Sequence, residues 1–182
     1  MGKDTCAFAG HNPSRFPWGR DESSKDCVAQ KEILASEIMR LADTGVTHFL
    51  SGMSEGVDTW AAAIVLALRE KNPMLKLHCI LPCRSQADDW SESAKDLYRS
   101  ILEQADSVVY VSRDYHNNCM IEQNKFMVDH ASILLAVSQG LQHSGTTATI
   151  NYARQIGREI IIIDPVHHQL TYENPSSDFT SI

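Results

Sequence analysis

The sequence holds no apolar run approaching the ~18 residues that a bilayer-crossing helix needs, which excludes such a helix. Its first ten residues carry only a brief apolar stretch, so no secretory leader is expected. Gly2 fails the myristoylation pattern, because Cys6 stands where Ser or Thr is required. Basic residues are scarce, with 16 Lys and Arg against 23 Asp and Glu and a net charge of -7. Proteins that grip a phosphate backbone carry a basic face, so nucleic-acid binding is disfavoured. Cysteines are few, odd in number and scattered: Cys6, Cys27, Cys79, Cys83 and Cys119. This usage argues against a disulfide framework or zinc ribbon and for reduced thiols in a cytoplasm. No low-complexity tract or sequence repeat is present.

What remains is an ordinary globular composition, 182 residues with 43% hydrophobic and 21% charged. A chain of this length forms one domain and buries roughly 70% of its unfolded surface without metal or disulfide. Apolar runs alternate with helical periodicity. Strands are predicted over 5–9, 46–50, 75–81, 107–111, 132–137 and 159–163. Helices are predicted over 27–43, 57–70, 91–104, 119–130 and 145–156. The helix over 91–104 is expected to turn Leu97, Ile101 and Leu102 inward, and Met120 and Met127 of the next are expected in the core. Six β-α repeats predict a Rossmann-like α/β fold, a three-layer αβα sandwich with a mostly parallel sheet of about six strands. One domain is expected over 1–166, followed by a frayed polar tail over 167–182. The apolar helix faces can serve a homo-oligomer as well as a core.

Ligands of such sheets bind beyond the carboxyl ends of the strands. The first strand ends in Gly10-His11-Asn12-Pro13, opening a long loop with Arg15, Phe16 and Trp18. Phe16, Pro17 and Trp18 are expected to pin this loop to the body, leaving His11 and Arg15 for a ligand or the surface. The second strand runs into Ser51-Gly52-Met53-Ser54-Glu55-Gly56-Val57-Asp58. Amides at that helix start would face an anion, and Asp58 either holds a ribose hydroxyl or complements the helix dipole. The fifth strand leads to Ser144, Gly145 and Thr146, again at a helix start. Asn124 and Lys125 are expected near the same cleft. Neither G-x-G-x-x-G nor a P-loop is present. The strand histidines His48 and His78 read as satisfied interior residues. Gly56→Leu and Gly145→Leu are both expected to abolish ligand binding while preserving the fold.

The stretches Phe8-Ala-Gly-His-Asn-Pro13, Phe16-Pro-Trp-Gly19, Ser51-Gly-Met-Ser-Glu-Gly-Val-Asp-Thr-Trp-Ala61, Cys119-Met120, Met127-Val-Asp129 and Ser144-Gly-Thr146 together resemble the YpsA-like (DUF1273) family of the SLOG superfamily. The resemblance spans residues 4 to 166. It implies a Rossmann-like domain binding a small-molecule nucleotide of the NAD or ADP-ribose type, with a bacterial setting. It places Gly10, His11, Ser51, Gly52, Gly56, Asp58, Gly145 and Thr146 at the ligand. Asn12 stands where the family reads Arg. Two related groups define alternatives. Phosphoribohydrolases carry a glutamate after their Gly-Thr, whereas Thr147, Ala148, Thr149 and Ile150 follow here; only Glu55, Asp58 and Asp129 remain as substitutes. DNA-processing proteins share a turn like that of residues 51–58, but the acidic balance argues against single-strand binding.

Overall fold

A computed structural model describes residues 4–175. Gly2 and the end of the expected tail, residues 176–182, lie outside them. Strands β1 (Thr5–Gly10), β2 (His48–Ser51), β3 (Lys76–Leu81), β4 (Ser107–Tyr110), β5 (Ile133–Val137), β6 (Glu159–Ile163) and β7 (Leu170–Glu173) form one sheet. The helices are α1 (Lys25–Asp43), α2 (Val57–Arg69), α3 (Glu92–Gln104), α4 (Cys119–His130) and α5 (Gly145–Gln155), with a 3-10 turn at Pro13–Arg15. The strand order is β4-β3-β2-β1-β5-β6-β7. All pairs are parallel except the antiparallel β6–β7. The chain adds strands leftward from β1 to β4, then crosses to β5 on the other side of β1. The order therefore reverses between β1 and β5.

The central strands read as apolar runs because both faces are covered. Along β1, Cys6 and Phe8 pack with α1, α2 and α3, while Ala7 and Ala9 pack with α4 and α5. Phe8 and Phe49 are fully buried and stacked with centroids 5.8 Å apart. Burial of each contributes about 1.5–3 kcal/mol. Serine hydroxyls fix three helix starts: Ser24 accepts from the Cys27 amide, Ser91 from Ala94 and Ser144 from Thr147. The Ser24 cap starts α1 at Lys25, two residues before its predicted start.

Two expectations about packing are corrected. Leu97 is exposed and Tyr98 is buried in its place, edge-on to Trp90 and donating to Gln86 Oε1. The helix is rotated so that the aromatic fills the space beneath it. Met120 is also exposed, at the mouth of the cleft described below. The tail is corrected too, because Leu170–Glu173 forms β7. The bare backbone edge of β6 recruits it, Glu173 makes a two-pronged ion pair with Arg154, and the Tyr172 hydroxyl donates to Glu37. Among the described residues no helix is long and apolar enough to cross a membrane.

Candidate functional site

The reversal between β1 and β5 opens a cavity of about 290 Å³. Gly10, His11, Asn12 and Arg15 form its β1 wall. Ser54 and Asp58 come from the turn into α2, Asn124 from α4, and Ser144, Gly145, Thr146 and Thr149 from the start of α5. Eight of the twelve sequence-predicted site residues therefore meet in one place. Trp18 and Trp60 stack against Phe16 and pin the loop that carries Arg15. Among the described residues Arg15 makes no ion pair, so its guanidinium is free to meet an anion.

Two groups in this wall are unusual. His11 is 3% exposed and Asp58 7% exposed, yet among the described residues His11 Nε2 and Asp58 Oδ1 have no hydrogen-bond partner. Orphaned buried polar atoms cost roughly 1–3 kcal/mol each, a cost that a polar ligand offsets. His11 Nδ1 lies 3.2 Å from the Thr146 hydroxyl. Burial, reinforced by Arg15, pushes the His11 pKa down, so the ring is neutral at pH 7. In the tautomer where Thr146 donates to Nδ1, Nε2 carries the proton and donates to a ligand oxygen; in the other, Nε2 accepts from a ligand donor. Asp58 Oδ2 accepts from the Ser54 amide at 3.3 Å. Burial nevertheless dominates and pushes its pKa up to about 7.

The turn after β2 differs from the sequence expectation. Ser51, Gly52, Met53 and Gly56 do not line the cavity. The Met53 amide donates to Ser51 Oγ, the Ser54 amide to Asp58, and the Gly56 amide to the Thr59 hydroxyl. Those three turn amides are already used, so they are not offered to an anion; the first-turn amides of α2 follow at Val57 and Asp58. Ser51 Oγ donates in turn to the Asp58 carbonyl and holds the turn closed. A Cβ on Gly52 would lie 2.9 Å from Asp58 Oδ2, so a side chain there displaces that carboxylate. Gly56 adopts φ +102°, and a Cβ there would lie 2.8 Å from the Pro13 ring. Gly56→Leu therefore breaks the turn and cannot separate binding from folding, contrary to expectation.

The start of α5 is different. Gly145 and Thr146 occupy its first turn, where backbone amides lack intrahelical acceptors. A Cβ on Gly145 would meet nothing within 4 Å. Gln123 of α4 is a residue that sequence reasoning missed: its Nε2 donates to the carbonyls of Gly52 and Ile80 at 2.7 and 2.6 Å. It ties the carboxyl ends of two strands together under the site. Only a polar residue on a helix face announced it.

The other singled-out residues go elsewhere. Lys125 lies over the Tyr152 ring, and Asp129 accepts from the Tyr152 hydroxyl. Glu55 pairs with Arg20. His48 and His78 are half-buried and bonded to each other, with His78 reaching Ser107, as their satisfied reading required. Asn12 caps the 3-10 turn by accepting from Ser14, and that turn delivers Arg15 to the cavity. A guanidinium thus stands three residues after the position where the resemblance expects one.

The family model for the YspA SLOG family matches residues 6–166. A UPF0398 protein of Bacillus pumilus is 34% identical over 143 residues, covering 77% of this chain and 75% of the relative. UPF0398 proteins of Brevibacillus brevis and Halalkalibacterium halodurans are 31% and 30% identical, covering 64% and 59% of this chain and 63% and 58% of those relatives. The strand order, the glycine turns at the strand ends and this match over nearly the whole chain lead to one assignment: the chain belongs to the YspA SLOG family.

Proposed function

We propose that the protein is a cytoplasmic sensor that captures a phosphorylated riboside, of the NAD or ADP-ribose type, in the cavity between β1 and β5. The observation that carries this reading is the pair of buried, partnerless atoms, His11 Nε2 and Asp58 Oδ1, in one cavity wall. A phosphate suits the first-turn amides of α5 together with Arg15, and the partnerless His11 Nε2 adds a further polar contact. Ribose hydroxyls suit Asp58 as acceptor. Capture without turnover is favoured because Glu55 and Asp129 are engaged elsewhere, leaving Asp58 as the single carboxylate of this cavity among the residues considered for hydrolysis.

The test is a thermal-shift series with AMP, ADP-ribose and NAD, with mass spectrometry of each mixture. A ligand at 100 times its Kd stabilises by about 2.7 kcal/mol, a shift of several degrees. Gly145→Leu is expected to weaken binding by at least about tenfold, or ~1.4 kcal/mol. Its side chain fills open cavity space, so the unliganded melting temperature stays within about 2 °C. No shift by any of the three ligands overturns the reading, and so does unchanged affinity in the variant. Recovery of a cleaved ligand would replace the sensor with an N-glycosidic hydrolase.

A further inference from the structure

The cavity has a neighbour. A second lobe of about 590 Å³ opens beyond the carboxyl ends of β2 and β3, and Asn12, Ser54 and Met120 line both. The two lobes are thus one cleft with a shared ridge, within the size range of small-molecule sites. Their chemistry is opposite. The first offers Arg15 and the amino end of α5. The second carries Asp88, Asp89, Trp90 and Tyr115. Among the described residues neither Asp88 nor Asp89 has an ion-pair partner, and both are exposed. Glu55, also in the second lobe, is neutralised by Arg20. Trp90 is set against Tyr98, and Gln86 is occupied by Gly52 and Tyr98, so the lobe keeps aromatic surface and two uncompensated carboxylates. Aromatic faces beside carboxylates attract a cation, and flat aromatic faces favour a flat one.

We propose that the second lobe is a subsite for a positively charged planar ring, so that the cleft selects a phosphorylated riboside ending in a cationic heterocycle. This rests on the reading that the first lobe holds the phosphorylated part. One end of the ligand is anionic and the other cationic, matching the polarity of the cleft. A ligand with a neutral or anionic second end loses the attraction of Asp88 and Asp89.

The experiment is calorimetric titration at pH 7.5 and moderate salt with NAD+, NADH, ADP-ribose and AMP. NAD+ and NADH differ chiefly in the charge of one ring. NAD+ is expected to bind about fivefold tighter than NADH. In the double variant Asp88→Asn/Asp89→Asn the ratio is expected to fall below about twofold, with ADP-ribose affinity unchanged. Tyr115→Ala is expected to weaken NAD+ and leave ADP-ribose alone. All three side chains are exposed, so the variants keep the fold, which their melting temperatures check. Equal binding of NAD+ and NADH overturns the subsite while ADP-ribose binding upholds the first lobe. A charge preference that survives the double variant also overturns it. Failure of all four ligands overturns both readings.

Discussion

Asp58→Asn is expected to raise the melting temperature at pH 8 by roughly 4–8 °C, and to change it little at pH 4. Asp58 sits in a wall that burial makes hostile to charge, and its pKa is pushed up to about 7. In the unfolded chain an aspartate titrates near 3.9. Because the folded value is the higher one, folding takes up a proton between these limits. The contribution of Asp58 is therefore fully present below about pH 4 and is lost as pH rises toward about 7. The whole loss is at most about 4 kcal/mol by this reckoning, and water or local relaxation near the carboxylate brings it nearer ~2. Asparagine keeps an oxygen for the Ser54 amide and never ionises. The difference between variant and parent should thus grow between pH 4 and 7 and stay level above. Thermal melts at several pH values check this, and parallel curves would show that Asp58 carries no such cost. The same variant removes the acceptor for a ligand hydroxyl. A destabilising carboxylate whose Oδ1 lacks a partner among the described residues is what the proposed ligand site calls for.

Sequence reasoning reached the fold because its main signals are local. Buried parallel strands such as Ile133–Val137 announce themselves as apolar runs, and the intervening helices as 3.6-residue periodicity. It missed β7 because Leu170–Glu173 has no buried face of its own; that strand exists through pairing with β6 and the Arg154–Glu173 contact. It misjudged Leu97 because Tyr98 competes for the same space, a contest decided by neighbouring Trp90 and Gln86. At the site, the rule that ligands gather at strand ends located Gly10, His11, Arg15, Asp58 and Gly145 together. The role of the Ser51–Gly56 turn was not legible. Its Met53, Ser54 and Gly56 amides are taken by Ser51, Asp58 and Thr59 side chains folding back on it, and side-chain direction is not written in spacing. The second lobe was equally hidden, since its aromatic and acidic residues lie in the 82–90 loop and at Tyr115, far apart in the chain.

Two glycines lining the same cavity are expected to respond oppositely to one added methyl. At Gly10 a Cβ would lie 2.3 Å from Val57 Cβ, an atom fixed to the backbone of the first residue of α2. Neither partner can swing aside, so Gly10→Ala must push α2 away from β1. Overpacking of this kind costs about 3 kcal/mol, lowering the melting temperature by roughly 6–12 °C. At Gly145 the same methyl enters open space, in a helical first turn where alanine is the better helix former. Gly145→Ala is therefore expected to leave the melting temperature unchanged or slightly raised. The contrast reaches the site as well. Asp58 follows Val57 directly, so moving α2 moves the carboxylate relative to His11, and Gly10→Ala should lose ligand affinity together with stability. Gly145→Ala keeps that geometry and narrows only the space beside the α5 amides. Equal melting temperatures for the two variants would mean that α2 does not press on Gly10, and the placement of Asp58 would lose its support. A large separation would show that α2 presses closely on β1 at Gly10, the approach that carries Asp58 to the cavity.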